Sequence, residues 1–399
     1  MSEAPRAIVL AVGLNGLGAV RGLGQRGLPV AAICPKSDTG ILRSRYVKQG
    51  FVIPIGDGYM DRLQAFLLET FPSGGVLVAT SDESAEFLQH RRGELYEHGF
   101  RFLIPHDDTT ALLNDKRREI ELIRSLEIPL PRSISRVDPP EFLHRLRPPI
   151  IIKPRRYDGY ALIKAKNIII QDAEGAQRFL TQYPPHLDLF VAQEVIPGDD
   201  DQLWVCNCLF DASGQLRSAF TFQRLGTSPS HFGVTTAAIG FDNPVVKEIT
   251  RKIGESIRYV GPAMFEYKYD ARDGEYKYIE INPRLGMCNW FDTSSGVDNV
   301  YYYYCLATGQ EAQLPLAPPP QRERGFINFL PDLYARIEDR QPPTQILRVQ
   351  WKALRRRPVF ARFVWKDPRP WLTSLRKDLK VGWSGLVRAL SKRRGPASR

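Results

Sequence analysis

The chain of 399 residues carries 55 Lys and Arg against 44 Asp and Glu, a formal charge of +11. Its 43% hydrophobic and 25% charged residues exclude wholesale disorder, and no stretch approaches the roughly 20 apolar residues that span a bilayer. Five cysteines, an odd number without metal-ligand spacing, point to a reducing compartment and inert thiols. The first residues run straight into a strand-like segment without the hydrophobic region of a signal peptide, so a cytoplasmic protein is expected.

In chain order, Ala7–Val12 reads as a buried strand. Gly13-Leu-Asn-Gly-Leu-Gly18, a helix to Arg26 and a strand over Pro29–Cys34 complete a β-turn-α-β unit. Strands at Gly75–Ala79 and Phe102–Ile104, with helices over Asp61–Phe71 and Glu83–His90, make residues 1–112 a small Rossmann-like α/β domain. Asn114–Leu126 reads as an amphipathic helix that Ile128-Pro-Leu-Pro131 terminates. Strands Pro149–Lys153, Ala165–Ile170 and Leu189–Val195, with a helix near Ala173–Gln182, give a β-β-α-β unit within 113–200. Over 201–314 the expected elements are strands Gln202–Phe210 and Leu216–Gln223, a helix Asn243–Tyr259, and a hairpin. The hairpin joins Met264–Tyr269 to Tyr276–Ile281 through the turn-forming Asp270–Gly274. Residues 315–340, which open on the proline-rich Pro315–Pro320, are expected to be a linker.

The positive charge is concentrated at the C-terminal end. Gln341–Arg399 holds sixteen Lys and Arg against only Asp367 and Asp378, whereas Met1–Arg340 has 39 bases and 42 acids. A slightly acidic body argues against a basic groove for specific nucleic acid. Within Trp371–Leu390 the residues Trp371, Leu375, Leu379, Trp383, Leu386 and Leu390 recur at steps of three or four, with basic residues between them. Residues 341–399 thus read as a basic amphipathic tail, suited to an anionic membrane surface or to packing on the body.

Glu280 and Asn282, two apart on a strand, face one side, and Glu266 on the preceding strand lies where pairing would bring it beside Glu280. Two carboxylates and an amide oxygen form a hard-oxygen set that binds Mg²⁺; the same residues also fit a solvated sheet face. Pro283 stops the strand and presents Arg284. Lys153 ends an apolar run and reads either as a snorkelling cap or as a phosphate ligand. The short polar loop Arg155–Ala161 with its single glycine follows. Lys116 sits in the first turn of its helix, where positive charge opposes the helix dipole. Val191–Gly198 is a strand and sharp turn leading to Asp199, Asp200 and Asp201.

The order of these features resembles the ATP-grasp superfamily. Lys116, Lys153 and its loop, Gln193-Glu-Val-Ile-Pro-Gly198, Glu266 and Glu280-Ile-Asn-Pro-Arg284 carry the resemblance over about residues 1–310, and the last motif is the most specific. The chain looks closest to D-aspartate-ligase-like carboxylate–amine ligases. The resemblance implies an α/β and α+β architecture: a pre-ATP-grasp domain, the ATP-grasp subdomains 113–200 and 201–314, and the basic tail. It implies that Lys116 and Lys153 contact ATP phosphates, with Asp158 and Gly159 in the covering loop. Gln193, Glu194 and Ile196 would line the adenine pocket, and Asp200 or Asp201 would meet the ribose. Glu266, Glu280 and Asn282 would hold Mg²⁺ or Mn²⁺. Arg284, Lys153 and Arg224 would act on the transferred phosphate or the substrate carboxylate.

The activity so implied is ATP- and Mg²⁺-dependent ligation: a carboxylate is activated as an acyl phosphate and joined to an amine. The alternative is a membrane-associated nucleotide-binding protein whose ATP-grasp body does not ligate. Small carboxylate and amine substrates, a homodimer, and a cytoplasmic location, peripheral on the inner membrane face, complete the expectation. Asn15 takes the place of the second glycine of a dinucleotide fingerprint, and no acid follows Cys34 to hold a ribose, so an NAD site is not expected. Asn15, Ser81 and Asp82 are candidate substrate contacts, and His231 is the one histidine near the expected site.

Overall fold

The computed structural model describes residues 4–137, 144–230, 233–314 and 321–375. His231 and the tail beyond Leu375 lie outside the described residues. The described residues form three sheets.

The first sheet contains β1 (Ala7–Leu10), β2 (Val30–Cys34), β3 (Val47–Val52), β4 (Gly75–Ala79) and β5 (Phe100–Arg101). Its order is β3-β2-β1-β4-β5 and every pair is parallel. β1, β2 and β4 are buried along their whole length, as short runs of Val, Ile, Leu and Ala with no alternation should be when helices cover both faces. The helix Gly13–Gln25 packs so tightly that a Cβ on Gly16 would lie 2.5 Å from the Ala11 Cα, and one on Gly18 would lie 1.9 Å from Asn289 Oδ1. These glycines therefore serve close packing rather than a dinucleotide.

The second sheet is antiparallel, in the order β6-β9-β7-β8: β6 (Ser133–Ile134), β7 (Ile150–Pro154), β8 (Ile168–Ile170) and β9 (Phe190–Glu194). Its apolar face rests on the helix Ala173–Gln182 through Ala176, Phe179 and Leu180. The third sheet has the order β14-β13-β10-β11-β12-β15-β16. Its strands are β10 (Leu203–Phe210), β11 (Leu216–Ser228), β12 (Val234–Gly240), β13 (Gly261–Asp270), β14 (Glu275–Asn282), β15 (Arg324–Ile327) and β16 (Val359–Phe360). The hairpin turn between β13 and β14 is closed by Asp270, whose carbonyl accepts the Gly274 N–H at 2.8 Å while Gly274 takes φ +78°.

The helix expected over Asn114–Leu126 is present as Lys116–Ser125 with Asp115 as its cap, and a separate helix, Asp107–Leu113, precedes it. The linker expected over 315–340 needs correction in its described part, 321–340: 324–327 form β15 and Phe329–Glu338 is a helix, its Asp332 and Arg336 paired at 2.9 Å in the interior. Of the two readings of the basic tail, residues 341–375 show packing on the body. The helix Pro343–Leu354 buries Ile346, Gln350 and Ala353, β16 joins the sheet edge, and Asp367 forms a buried ion pair with Arg21 of the first helix at 2.9 Å.

Candidate active site

The site lies where the helix Lys116–Ser125, strand β7 and the β13–β14 hairpin converge. Asp115 organises the first two. Its carboxylate accepts the Arg117 N–H at 3.0 Å, Arg155 Nε and Nη2 at 2.9 and 2.8 Å, and Arg156 Nε at 2.9 Å. Burial opposes its charge, but the two guanidinium groups and the Arg117 N–H overrule that, and the carboxyl is held well below the usual carboxylate range. The Lys116 N–H donates to the Arg155 carbonyl at 3.0 Å, so the helix start and the end of β7 are tied together by side chain and backbone alike.

That tie brings Lys116 and Lys153 to the lining of one small cleft. Gln193, Glu119, Tyr278 and Ile279 also line it. Lys116 Nζ meets Glu119 at 2.7 Å, and the other oxygen of Glu119 accepts the Tyr278 hydroxyl at 2.5 Å. Burial works against the Lys116 ammonium, but Glu119, Glu280 and Glu266 outweigh it and its pKa rises. Lys153 goes the other way: burial, with the repulsion of Lys116, pulls it below the ordinary lysine value despite Glu280, Glu119 and Glu266. Among the described residues Lys153 makes no ion pair or side-chain hydrogen bond.

The carboxylates come from the hairpin. Glu266 and Glu280 are register partners, and Asn282 pairs with Met264 two residues on. A bulge follows Glu266, so that Tyr267 pairs with Tyr278 and Ile279 is the extra residue. Tyr278 and Glu280, two apart, therefore face opposite sides: the ring enters the core and the carboxylate joins Glu266. Arg224 of β11 reaches Glu266 at 2.7 Å, and its own Nε is buried without a hydrogen-bond partner among the described residues. Burial disfavours the Arg224 cation, and Glu266 more than restores it. Burial favours the protonated form of Glu280, but Lys116, Lys153, the Asn282 amide at 3.3 Å and Arg224 keep its pKa below the ordinary value. The result is three cations, Lys116, Lys153 and Arg224, among three carboxylates, Glu119, Glu266 and Glu280, in a partly desolvated site.

Other expected residues stand further off. Glu194 accepts the Arg132 N–H at 3.1 Å and Arg272 at 3.2 Å. Lys268 Nζ binds the carbonyls of Ile196 and Gly198 at 2.8 and 2.7 Å, which fixes the turn after β9. Asp200 accepts the Thr227 hydroxyl at 2.8 Å, and the Asp201 carbonyl accepts Gln223 at 2.6 Å. The expected covering loop is a correction: Asp158 and Gly159 lie in a helix, Tyr157–Ile163, with Tyr157 79% exposed. A Cβ on Gly159 would come 2.6 Å from the Leu189 carbonyl, so this glycine is there for packing. Arg284 reaches Asp82 at 2.5 Å, bridging to the first sheet. Ser81 caps the helix Asp82–His90, and Asn15 is buried, donating to the Thr80 and Leu285 carbonyls. Sequence reasoning missed Asp115, Glu119, Tyr278 and Arg155. The only available signal was Asn114-Asp-Lys116 as a helix cap.

No protein-family model matches the chain. Among solved structures it is similar to the biotin carboxylase domain of 2-oxoglutarate carboxylase from Hydrogenobacter thermophilus, described as a dimer in complex with MgADP, ADP and bicarbonate. The TM-score is 0.61 at 16% identity, over 81% of this chain and 73% of that one. It is also similar to L-amino acid ligase from Bacillus licheniformis, with a TM-score of 0.57 at 14% identity over 82% and 80% of the two chains. N5-carboxyaminoimidazole ribonucleotide synthetase from Thermus thermophilus gives 0.56 at 15% identity over 80% and 82%. At 14–16% identity these likenesses show a shared fold. Among curated proteins the chain resembles D-aspartate ligase of Enterococcus faecium (strain Aus0004), 26% identical over 245 residues and 56% of each chain. It thus spans about half the length of that relative.

Proposed function

We propose that the protein is an ATP- and Mg²⁺-dependent ligase, ADP-forming, that activates a small carboxylate as an acyl phosphate and joins it to an amine. One observation carries the reading: Lys153, a half-buried cation with no paired anion, stands in the cleft with Lys116 and within electrostatic reach of the buried Glu266 and the half-buried Glu280. A site that holds cations without pairing them all is prepared for an anionic ligand. The orphaned Nε of Arg224 points to the same conclusion.

The donor set fits Mg²⁺. Glu266 and Glu280 are adjacent by register and Asn282 adds an amide oxygen; phosphate oxygens and water would complete a hard-oxygen shell. Among the described residues no group of three or more His, Cys, Asp or Glu side chains forms, so Cys and His ligands are not part of the proposal. Bound there, the ion would supply charge neutralisation on the phosphates.

Lys116 and Lys153 hold the phosphates and offset their charge. A carboxylate oxygen attacks the γ-phosphorus and ADP departs; Arg224 and Arg284 counter the charge of the acyl phosphate and orient its carboxyl end. The amine then attacks the carbonyl carbon, loses a proton to solvent and expels phosphate. Gln193 and Ile196 bound the base of the nucleotide, with Glu194 fixing the strand end and Asp200 or Asp201 near the ribose. Exposed Tyr157 and Tyr160 sit on the helix that would cover the phosphates, and covering them limits hydrolysis of the intermediate.

We infer also that the basic region 341–399 meets an anionic membrane surface. No helix among the described residues is long and apolar enough to cross a membrane, so the contact would be peripheral. The dimer named for the biotin carboxylase neighbour supports a homodimer here. The ligase reading is tested by a screen of acids and amines that follows ADP release, with mass spectrometry of the product. ADP release that never depends on an amine would reject it.

A further inference from the structure

Phe360, Phe363, Trp365 and Trp371 form one connected aromatic group. The Phe363 ring lies 6.4 Å from Phe360, 4.9 Å from Trp365 and 5.2 Å from Trp371 between centroids. Rings this close normally belong to a core. Here Trp365 is 86% exposed, and Phe360 and Leu372 are exposed beside it. On the helix Pro343–Leu354, Leu347 and Trp351 are four apart, hence on one face, and both are exposed.

Along the chain the charge of this segment is one-sided, with the exposed Glu323 pairing Arg356 from outside it. Residues 341–375 contain eight Lys and Arg and a single acid, Asp367. That acid is 1% exposed: its carboxylate accepts Arg21 Nε, the Ser44 hydroxyl and the Arg45 N–H, each at 2.9 Å. It therefore contributes no negative charge to the surface, and it anchors the aromatic group rigidly to the first helix. The next 24 residues, 376–399, add eight bases against Asp378.

We propose that this surface, Phe360–Leu372 with the Leu347/Trp351 face, docks on an anionic phospholipid bilayer. The rings and aliphatic tips enter at headgroup depth while the surrounding Lys and Arg meet lipid phosphates. Tryptophan and leucine among cations suit a wet–apolar boundary, where an amphipathic ring has both environments and each cation a counter-charge. The proposal rests on the membrane reading of the basic region. It replaces attraction by the charged end alone with a preformed, folded contact, and it is independent of ligation.

The test is flotation of the full chain with phosphatidylcholine vesicles and with vesicles that also contain phosphatidylserine. Two full-chain variants are compared: Trp365→Ala with Trp351→Ala, and Lys392→Gln with Arg393→Gln and Arg394→Gln. Both tryptophans are exposed, so circular dichroism should be unchanged. Binding to the anionic vesicles alone, released by salt and weakened roughly tenfold per ring removed, supports the docking surface. Wild-type binding by the tryptophan variant, with binding lost in the charge variant, overturns it and leaves membrane contact to the chain end. No binding by the full chain overturns both readings. A concentration-dependent dimer that the tryptophan variant abolishes, without vesicle binding, overturns the proposal in favour of a second copy of this chain as occupant.

Discussion

Replacing Asp115 separates two contributions that this one carboxylate makes. Asparagine keeps a side-chain oxygen to cap the helix Lys116–Ser125 but removes the charge that holds Arg155 and Arg156; alanine removes both. Losing one partner of a buried pair costs roughly 3–5 kcal/mol. Here that must be reduced, because the Arg155 and Arg156 side chains are 23% and 54% exposed and water takes up part of the released charge. About 2 kcal/mol is expected for Asp115→Asn, and the lost cap adds about 1 kcal/mol in Asp115→Ala. Urea unfolding at neutral pH measures both. The native carboxyl titrates below its unfolded value, so its stabilisation is present above the ordinary carboxylate pKa and fades as pH falls through the native one. The gap between wild type and Asp115→Asn should therefore close in acid. Because the Lys116 N–H and the Arg155 carbonyl belong to the same junction, the KM for ATP should rise in both variants. Asp115→Asn matching wild type in stability at neutral pH would refute the clamp.

Lys153→Met should leave the fold intact and lower ADP release by roughly 10²–10³, the loss typical of one preorganised electrostatic group; steady-state kinetics beside a circular dichroism spectrum checks this. Asp292 is pushed up to about 8 by burial, against the N–H groups of Asn207 and Asn299. The native state then holds a proton that the unfolded chain has released, so stability should fall as pH rises from the ordinary carboxylate range towards that value. The slope is about 1.4 kcal/mol per pH unit, and Asp292→Asn should flatten it in unfolding measured across pH. A Cβ on Gly286 would lie 2.2 Å from Asn207 Oδ1, so Gly286→Ala should cost roughly 1–3 kcal/mol in urea unfolding. It should also reduce turnover, through displacement of the turn that carries Arg284.

The carboxylate pair was legible because a strand's period of two and a turn-forming DARDG segment are local signals that set register. The cations were legible only as an ordered series. Asp115 and Glu119 were not, since acids in a first turn are what any helix cap and dipole favour, and nothing local tells that two arginines forty residues on will close on one of them. The helix Tyr157–Ile163 was read as a loop because its polar residues and glycine look like loop chemistry; the glycine is there for the Leu189 carbonyl. β15 and β16 escaped for another reason. They are four and two residues long and owe their existence to long-range pairing, and the prolines and charge nearby resemble a linker and a tail.

The central claim is that a carboxylate oxygen attacks phosphorus in this cleft. Once the screen has found the acid, ¹⁸O placed in its carboxylate provides the most direct test. The account predicts that each amide formed releases phosphate carrying one carboxylate-derived ¹⁸O, and that Glu280→Ala abolishes the transfer. Amide formed with unlabelled phosphate would contradict it.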